Sequence, residues 1–336
     1  MKPTDLAQAL SHYLGMYLPS QRNVSPNTIK SYRDTFKLFL LFCKQKCSIP
    51  AERLSLKHVD KIRVLEFLDW LESDRNNSVS TRNQRLACIH SFYRYMQIED
   101  PIGLLSYQQI MSIPLKKTRA PMINHLTPEA LKLILAQPDT SKMNGRRNLA
   151  LLAVLYDSGA RVQELVDLKV RDVRLDDPPI LTLTGKGRKK RHVPIMPNTK
   201  VLLEQYMDES SLTLDGMLDS PLFFNRQRRK MTRAGICYIL NKYVAQAKTT
   251  SCIIPNDVTP HIMRHTKAML LLQSGVSLIY IRDFLGHTDI TTTEIYARAD
   301  TETKRKALEK AYPDIVETPL PQWNKDDALL TWLTSL

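Results

Sequence analysis

The stretch FLGHTDITTTEIYARAD, residues 284–300, decides how this chain is interpreted. Thr291 to Glu294 read as a capping box, TTTE, which predicts that a helix begins there. Tyr296 then lies in the first turns of that helix. A tyrosine in an amphipathic helix is most often a core residue, and its pKa of about 10 makes it a poor nucleophile unless cations stabilise the attack. The role of Tyr296 therefore depends on what the rest of the chain brings beside it.

The composition is that of a folded, basic protein. The chain has 336 residues, of which 43% are hydrophobic and 24% charged, and this length allows two domains with separate cores. The net charge of +14 favours a polyanionic partner, most often nucleic acid, although a basic protein without such a partner has the same balance. The sequence contains no apolar run of transmembrane length, no signal peptide and no lipidation signal, so we expect no membrane role.

The cysteine pattern predicts free thiols. The five cysteines are odd in number and scattered, at positions 43, 47, 88, 237 and 252. This favours a reducing, cytoplasmic location over a disulfide framework. Cys43 and Cys47 lie one turn apart on a predicted helix, but two further ligands for a zinc site are missing nearby.

Hydrophobic periodicity predicts a mainly α-helical chain with a small sheet. Residues 1–112 form a helical domain, in which Ser25 is the predicted N-cap of a helix that starts at Pro26. Residues 113–124 contain two prolines and three basic residues and form a linker. Residues 125–316 form a larger mixed domain with a β-hairpin around the stretch TGKGRKKRH, and residues 317–336 form a tail with a short apolar helix.

Basic side chains recur on the first domain, the linker and the hairpin. On helix faces such residues are usually solvated, but here they also suit contacts with phosphates, and the sequence does not separate the two roles. The predicted DNA-binding residues are Lys30, Arg33, Lys37, Arg82, Arg85, Lys116, Lys117, Arg119, Arg188, Lys189 and Lys190.

Two stretches offer single cations held by glycine turns. In SGARVQELVDL, Arg161 follows a turn and Glu164 lies within reach on the same helical face; a surface ion pair of little value is the alternative. In TGKGRKKRHVPI, Lys186 lies between two glycines that allow close approach to a ligand; a solvated turn is equally compatible with the sequence.

The stretch HIMRHT places three polar side chains on one helical face. His261, Arg264 and His265 are spaced i, i+3 and i+4. The two histidines lack the glutamate of a zinc-binding HExxH helix, so we expect no metal. His261 and Arg264 suit a phosphate, whereas we expect His265 to be a packing residue. His287, after Gly286, would by itself more often help to cap a helix than take part in catalysis.

Taken together, these residues form a set for phosphoryl transfer without a metal or other cofactor. The cations would stabilise negative charge on phosphorus, an acid would protonate the leaving oxygen, and the phenol would attack. The predicted catalytic residues are Arg161, Lys186, His261, Arg264, His287 and Tyr296.

Four ordered motifs, ARVQEL, GKGRKKRHVPI, HIMRH and LGHTDITTTEIY, resemble those of the tyrosine recombinase, or phage integrase, superfamily. Their order and spacing agree over residues 126–313, and the helical first domain resembles the SAM-like core-binding domain of that family. The resemblance implies a mainly α fold with a small antiparallel sheet, in which two domains form a C-shaped clamp on DNA. The one departure is Met263, where many relatives have leucine.

The resemblance also implies a role for each residue. Arg161 and Arg264 would hold the non-bridging oxygens of the scissile phosphate, and His287 would hydrogen-bond it. Lys186 would protonate the leaving 5′-oxygen, and His261 would act as a general acid or base. Tyr296 would form a 3′-phosphotyrosyl link. Glu164 matches an acidic position that supports the first arginine.

The expected function is site-specific DNA recombination by a tetramer on inverted half-sites, through a Holliday junction. We expect integration or excision of a mobile element; Xer-like resolution of replicon dimers is the alternative, and a second recombinase or a DNA-bending factor could take part. A non-catalytic DNA-binding protein and a type IB topoisomerase are the other classes considered. The tail helix would dock on a neighbouring subunit or fold back on its own domain.

Overall fold

The computed structural model describes residues 2–118, 124–185, 187, 189–299 and 328–335. The chain divides into two compact units, Met1–Pro121 and Met122–Leu336, and the division falls inside the predicted linker. Three predicted site residues, Arg119, Lys186 and Arg188, lie outside the described residues, as do residues 317–327 of the predicted tail. In the part of the chain that is described, no helix has the length and apolar character needed to cross a membrane.

The first unit is helical, and short polar side chains fix where its helices begin. Ser25 accepts a hydrogen bond from the backbone N–H of Thr28, and Pro26 occupies the first turn, as predicted. Asp60 and Ser78 cap two later helices in the same way. The helices are α1 (Asp5–His12), a π-helical segment (Tyr13–Gln21), α2 (Pro26–Cys47), α3 (Lys61–Ser73), α4 (Val79–Glu99) and α5 (Leu104–Met111).

Aromatic side chains fill the core of the first unit. Phe39 meets Phe67 at 5.2 Å with ring planes 85° apart, and Phe36 meets Phe92 at 5.1 Å and 69°. Edge-to-face pairs of this kind contribute about 0.5–1.5 kcal/mol each beyond the area they bury. These contacts join α2 to α3 and α4, so the helices form one packed domain.

The start of the predicted linker is attached to the first unit. Ile113 is buried in its core. The side chain of Asn83 accepts a hydrogen bond from the backbone N–H of Lys116 and donates one to its carbonyl. The segment up to Lys116 therefore belongs structurally to the first unit rather than to a free connection.

The second unit is mainly helical with one small sheet. Its strands β1 (Val173–Arg174), β2 (Ile180–Thr184) and β3 (Lys190–Pro194) form an antiparallel sheet in that order, with Thr184 opposite Lys190 at the closed end of the hairpin. The β2–β3 hairpin was predicted and β1 was not. The helices are α6 (Pro128–Leu135), α7 (Met143–Asp157), α8 (Val162–Asp167), α9 (Pro197–Glu209), α10 (Arg233–Thr250), α11 (Pro260–Gln273), α12 (Leu278–Leu285), α13 (Thr291–Ala299) and α14 (Ala328–Thr334).

Two glycine turns direct the chain into the region of the candidate site. Gly159, after α7, and Gly286, after α12, both adopt positive φ, at 55° and 65°. A Cβ on Gly159 would come within 3.1 Å of Phe284 and Leu285, so only glycine lets the two turns approach each other. The approach brings the start of α8 close to the end of α12.

Candidate active site

An ion-paired carboxylate lies at the centre of the site. The side chain of Glu164 is 4% exposed and accepts hydrogen bonds from the backbone N–H of Arg161 at 2.8 Å and from its Nη1 at 2.9 Å. Arg161 precedes α8 as its N-cap residue, and the carboxylate of Glu164, three residues on, fixes the position of its backbone by accepting from its N–H. The guanidinium of Arg161 remains one-third exposed, which leaves N–H groups free to bind an anion.

A second arginine on the same carboxylate was not predicted. Arg191, on β3, donates from Nη1 and Nη2 to the two oxygens of Glu164 at 2.9 and 2.7 Å, and from Nε to the carbonyl of Phe284. Burial acts to raise the pKa of Glu164, but the hydrogen bonds and charges of Arg191 and Arg161 outweigh it and hold the pKa below its ordinary value. Arg191 therefore ties the hairpin, α8 and the end of α12 together.

Arg264, on α11, is the buried cation of the site. It is 3% exposed, and its guanidinium donates to the carbonyl oxygens of Gly159 and Leu285. Burial, followed by the charge of Arg161, lowers its pKa to about 10, so it remains cationic at neutral pH. Among the residues described, no carboxylate pairs with it. An unpaired buried charge is costly, so the fold retains here a cation with unused capacity for an anion.

The hydroxyl of Tyr296 is placed beside this cation. Tyr296, on α13, is 1% exposed and packs against Ala268, Met269, Ile281 and Leu285. Burial raises its pKa, and the positive charges of Arg264 and Arg161 partly offset that effect. The capping-box prediction placed Tyr296 in the first turns of a helix, and α13 begins at Thr291 as predicted. The side chain is therefore buried like a core residue and polarised by two guanidiniums.

His265 has a polar partner, contrary to its prediction as a packing residue. Its Nδ1 lies 2.8 Å from Oη of Tyr296, within hydrogen-bonding distance. Burial, then the charges of His261 and Arg264, lower the pKa of His265. Sequence spacing had already placed His265 on the face of His261 and Arg264, but the partner on α13 comes from tertiary packing.

His287 follows the glycine that ends α12. Its Nδ1 lies 2.9 Å from Oγ1 of the buried Thr293, and its ring stacks on Tyr296 with planes 11° apart. Burial and the charges of Arg264 and Arg161 lower the pKa of His287 to about 4, so it is neutral at physiological pH. When the Thr293 hydroxyl donates to Nδ1, the proton of the neutral ring is on Nε2, which is then free to donate to a ligand.

His261 and the hairpin complete the region. His261 is solvent-accessible on the first turn of α11, and partial burial with the charges of Arg264 and Arg161 lowers its pKa. Gly185, next to Lys186 in the sequence, lies so close to Glu164 that a Cβ would come within 3.2 Å of Oε1. The start of the hairpin turn therefore reaches the site, although Lys186 itself is outside the described residues.

The predicted DNA contacts divide into exposed and internal residues. The exposed ones are Lys30, Arg33, Lys37, Lys116, Lys117, Lys189 and Lys190. Of these, Arg33 pairs with Asp34, and Lys116 pairs with Glu72.

Two of the predicted DNA contacts are corrected by the structure. The side chain of Arg82 is 4% exposed and lies 3.7 Å from Glu72, because it occupies the buried face of α4. Arg85 is half-buried and donates to Oγ1 of Thr35 and the carbonyl of Ser31, which ties α4 to α2. Both guanidiniums are engaged inside the domain, so neither is a free phosphate contact.

The arrangement as a whole is a preorganised anion site with a nucleophile. Two guanidiniums, from Arg161 and Arg191, share the carboxylate of Glu164, and a third, from Arg264, is held by backbone carbonyl oxygens. Donors fixed by backbone contacts lose little entropy when they bind an anion, and burial strengthens their field. A phosphate is the anion whose oxygens match such guanidinium groups, and a buried phenol beside it is placed for attack.

Comparison with known families identifies the class of protein. The sequence model of the Phage integrase family matches residues 124–303, and that of the phage integrase N-terminal SAM-like domain matches residues 12–99. The chain belongs to the phage integrase family. It is a tyrosine recombinase, an enzyme of site-specific DNA recombination.

Relatives and solved structures agree with this membership. A protein of Sinorhizobium fredii that is named as the integrase/recombinase y4rC is 36% identical to this chain. The match covers the whole of this chain and 99% of the relative. The tyrosine recombinase XerC of Oceanobacillus iheyensis is 30% identical over 88% of this chain and 93% of its own. A crystal structure of the XerH site-specific recombinase bound to difH substrate is 25% identical, with a TM-score of 0.66 and coverage of 87% and 82%. The Tn1549 transposon integrase in complex with transposon right end DNA shares the fold, with a TM-score of 0.68, 17% identity and coverage of 90% and 99%.

Proposed function

We propose that this recombinase cleaves and rejoins DNA through a covalent link between Tyr296 and a 3′-phosphate. The observation that carries the proposal is the buried guanidinium of Arg264, which has no carboxylate partner among the described residues. Its charge, with that of Arg161, counters the rise in the pKa of Tyr296 that burial causes. Attack by Oη on phosphorus would expel the 5′-oxygen and conserve the phosphoester in the enzyme–DNA link. The reverse attack, by a 5′-hydroxyl, would rejoin a strand and release Tyr296.

Each further residue has a step in this mechanism. Arg161 and Arg264 bind the non-bridging oxygens, and neutral His287 donates to one of them. Lys186 protonates the leaving 5′-oxygen from the hairpin turn, which starts at Gly185 beside Glu164. His261, solvent-accessible on the first turn of α11, serves the phosphate as a proton donor or acceptor.

DNA binding beyond the scissile phosphate rests on charge. Non-specific phosphate contacts come from exposed lysines in three places: on α2, on β3 and in the segment that contains Lys116 and Lys117. Such contacts release counterions, so the affinity for DNA depends on salt. In this proposal the enzyme acts as a tetramer on two sites with inverted half-sites, through a Holliday junction, and α14 of one subunit docks on the next. A second recombinase or a DNA-bending factor could complete the assembly. We place the enzyme in the cytoplasm, where its five scattered cysteines would stay reduced.

For the biological role we propose integration or excision of a mobile element. The full-length match to y4rC, at higher identity than the match to XerC, favours this role. Resolution of replicon dimers is the second candidate, favoured by relatives named XerC that align with 88% of the chain. Purified protein given both element ends and replicon resolution sites would distinguish the two, because only the true substrate is expected to give recombinant product.

The test of the chemistry uses a nicked suicide duplex that carries an element end. Wild type and Tyr296→Phe are incubated with it in EDTA and run on a denaturing gel. A covalent protein–DNA band is expected with wild type alone. If both proteins bind the duplex and neither gives the band, the catalytic proposal is wrong. A separate assay uses a supercoiled plasmid that carries a single site. Repeated relaxation of this plasmid, with no recombinants from plasmids that carry two sites, would indicate topoisomerase activity in place of the proposed strand exchange.

A further inference from the structure

The proton of the Tyr296 hydroxyl has one visible destination. Tyr296 is 1% exposed, and its ring is enclosed by the apolar side chains of α11 and α12. Within the described part of the chain, the hydrogen-bond partner of Oη is Nδ1 of His265, at 2.8 Å. A phenol that becomes a phosphoester must lose this proton, and a group in direct contact with the oxygen is placed to take it.

The other polar groups of the site are less suited to this step. Arg161 and Arg264 are permanent cations and only donate hydrogen bonds. Both oxygens of Glu164 are occupied by arginines. Nδ1 of His287 is already bonded to Thr293. His261, which serves the phosphate in the proposed function, is exposed, and among the described residues no hydrogen bond joins it to Oη. His265 is therefore the neutral acceptor in contact with the nucleophile.

We propose that His265 is a further catalytic residue, the general base for Tyr296, and this inference rests on the proposed function. As the bond from Oη to phosphorus forms and the bond from phosphorus to the 5′-oxygen breaks, the phenolic proton passes to Nδ1. The 5′-oxygen takes its proton from a separate acid, Lys186 in the proposed mechanism. In the reverse step the 5′-hydroxyl attacks, and Tyr296 leaves and recovers its proton from His265.

The surroundings of His265 keep it ready to accept a proton. The groups that face it are His261 and Arg264 on its own helix, Tyr296 on α13 and His287 after α12. Burial and the neighbouring positive charge lower its pKa, so the ring is neutral at pH 7. With the hydroxyl of Tyr296 donating to Nδ1, the ring carries its own proton on Nε2. A neutral base in a cationic site becomes charged only when the developing phosphorane supplies compensating negative charge.

Two substitutions separate proton transfer from positioning. His265→Asn places an amide oxygen where Nδ1 lay, so it can accept the hydrogen bond but cannot take up a proton at neutral pH, whereas His265→Ala removes both functions. The full-length variants are given a suicide duplex whose scissile phosphate carries a bridging 5′-sulfur. A thiolate leaves without protonation, so the acid no longer affects the rate. Single-turnover formation of the covalent complex is expected to fall by about 10²–10⁴-fold in both variants.

The pH profile provides a readout that a structural role would not change. The wild-type rate on the sulfur substrate is expected to be flat above pH 7, because His265 is already neutral there. In His265→Asn the phenolate must form before attack, so the rate should rise about tenfold per pH unit while Tyr296 remains protonated. Imidazole in the buffer is expected to accelerate His265→Ala.

Controls make each outcome decisive. Melting temperature, together with DNA binding measured in a Tyr296→Phe background where the covalent link cannot form, establishes that the variants are folded and bind DNA. His192→Asn, which changes an exposed histidine on β3, is the matched variant expected to keep the wild-type rate. The inference is overturned if His265→Asn has the rate and pH profile of wild type, since His265 would then only position Oη. It is also overturned if His265→Ala cleaves normally. Failure of wild type itself to form a covalent complex would refute the proposed function.

Discussion

Arg191→Met tests whether the unpredicted arginine holds the site together. Methionine keeps an unbranched apolar stem but removes the guanidinium. The change deletes two of the four hydrogen bonds that Glu164 accepts, those from Arg191 Nη1 and Nη2, and leaves the two from Arg161. It also frees the carbonyl of Phe284.

The expected loss follows from the burial of the pair. The side chains of Glu164 and Arg191 are 4% and 11% exposed, so solvent can replace little of the lost interaction. Breaking a buried ion pair costs about 3–5 kcal/mol, and because Arg161 still holds Glu164 we expect a value of about 3 kcal/mol. For a unit the size of Met122–Leu336, this corresponds to a fall in melting temperature of about 6–12 °C.

The assay is thermal unfolding of wild type and variant as a function of pH. The pKa of Glu164 lies below its ordinary 4.5 in the fold, so its stabilising contribution is complete above pH 4.5 and is lost as pH falls through the lower folded value. In the variant, burial remains while Arg191 is gone, which raises the pKa. The difference in unfolding free energy between the two proteins should therefore be largest near pH 7 and become smaller as the pH is lowered.

Lys190→Met is the matched control, because Lys190 is the exposed neighbour of Arg191 on the same strand. An exposed substitution of this kind is expected to change stability by less than about 0.5 kcal/mol. The reasoning is refuted if Arg191→Met melts within 2 °C of Lys190→Met at pH 7, or if the difference from wild type does not narrow in acid.

Two further predictions concern the nucleophile and the DNA surface. Thr293→Val removes the hydroxyl beside Nδ1 of His287, so cleavage should slow about tenfold with DNA affinity unchanged, as measured by single-turnover assay and filter binding; a rate within twofold of wild type would contradict the assignment. Lys37→Ala should reduce the slope of log Kd against log salt by about 0.9. Arg82→Met, which leaves the partly buried Glu72 without one of its cations, should lower the stability of the first unit and leave that slope unchanged. Equal slopes for the two variants would contradict the distinction between exposed and internal cations.

Sequence patterns predicted the parts of the site that depend on local spacing. The helix that carries Tyr296 and the hairpin of β2 and β3 follow from a capping box and from alternation around glycines, and both are present. The sequence carries a signal for Arg191, because Arg191 alternates in phase with the buried Val193 on β3 and with the buried Ile195 just after the strand. Its place at the end of a run of basic residues, after Arg188, Lys189 and Lys190, instead predicts a side chain exposed to solvent and DNA.

Arg82 illustrates the same difficulty on a helix. It is one turn before Leu86 and two turns before Ile89, both buried, so its position lies on the apolar stripe of α4. The stripe places the guanidinium inside, and Glu72 on α3 compensates its charge. Which acidic residue meets it depends on how α3 and α4 pack, and periodicity within one helix carries no such information.

The contact between His265 and Tyr296 lies beyond local patterns for a related reason. The two residues are on separate helices, and their separation is set by the fit of α11 against α12 and α13. That fit is itself anchored by Arg264, whose guanidinium bonds the carbonyl that follows α7 and the last carbonyl of α12. The cation that would bind the phosphate is thus also the group that joins the segments carrying Arg161 and His287. A substitution at Arg264 should therefore disturb the geometry of the site together with its charge. His265→Asn, by contrast, keeps a hydrogen-bond acceptor for Oη and removes the uptake of its proton, which makes His265 the better position at which to isolate the chemical step.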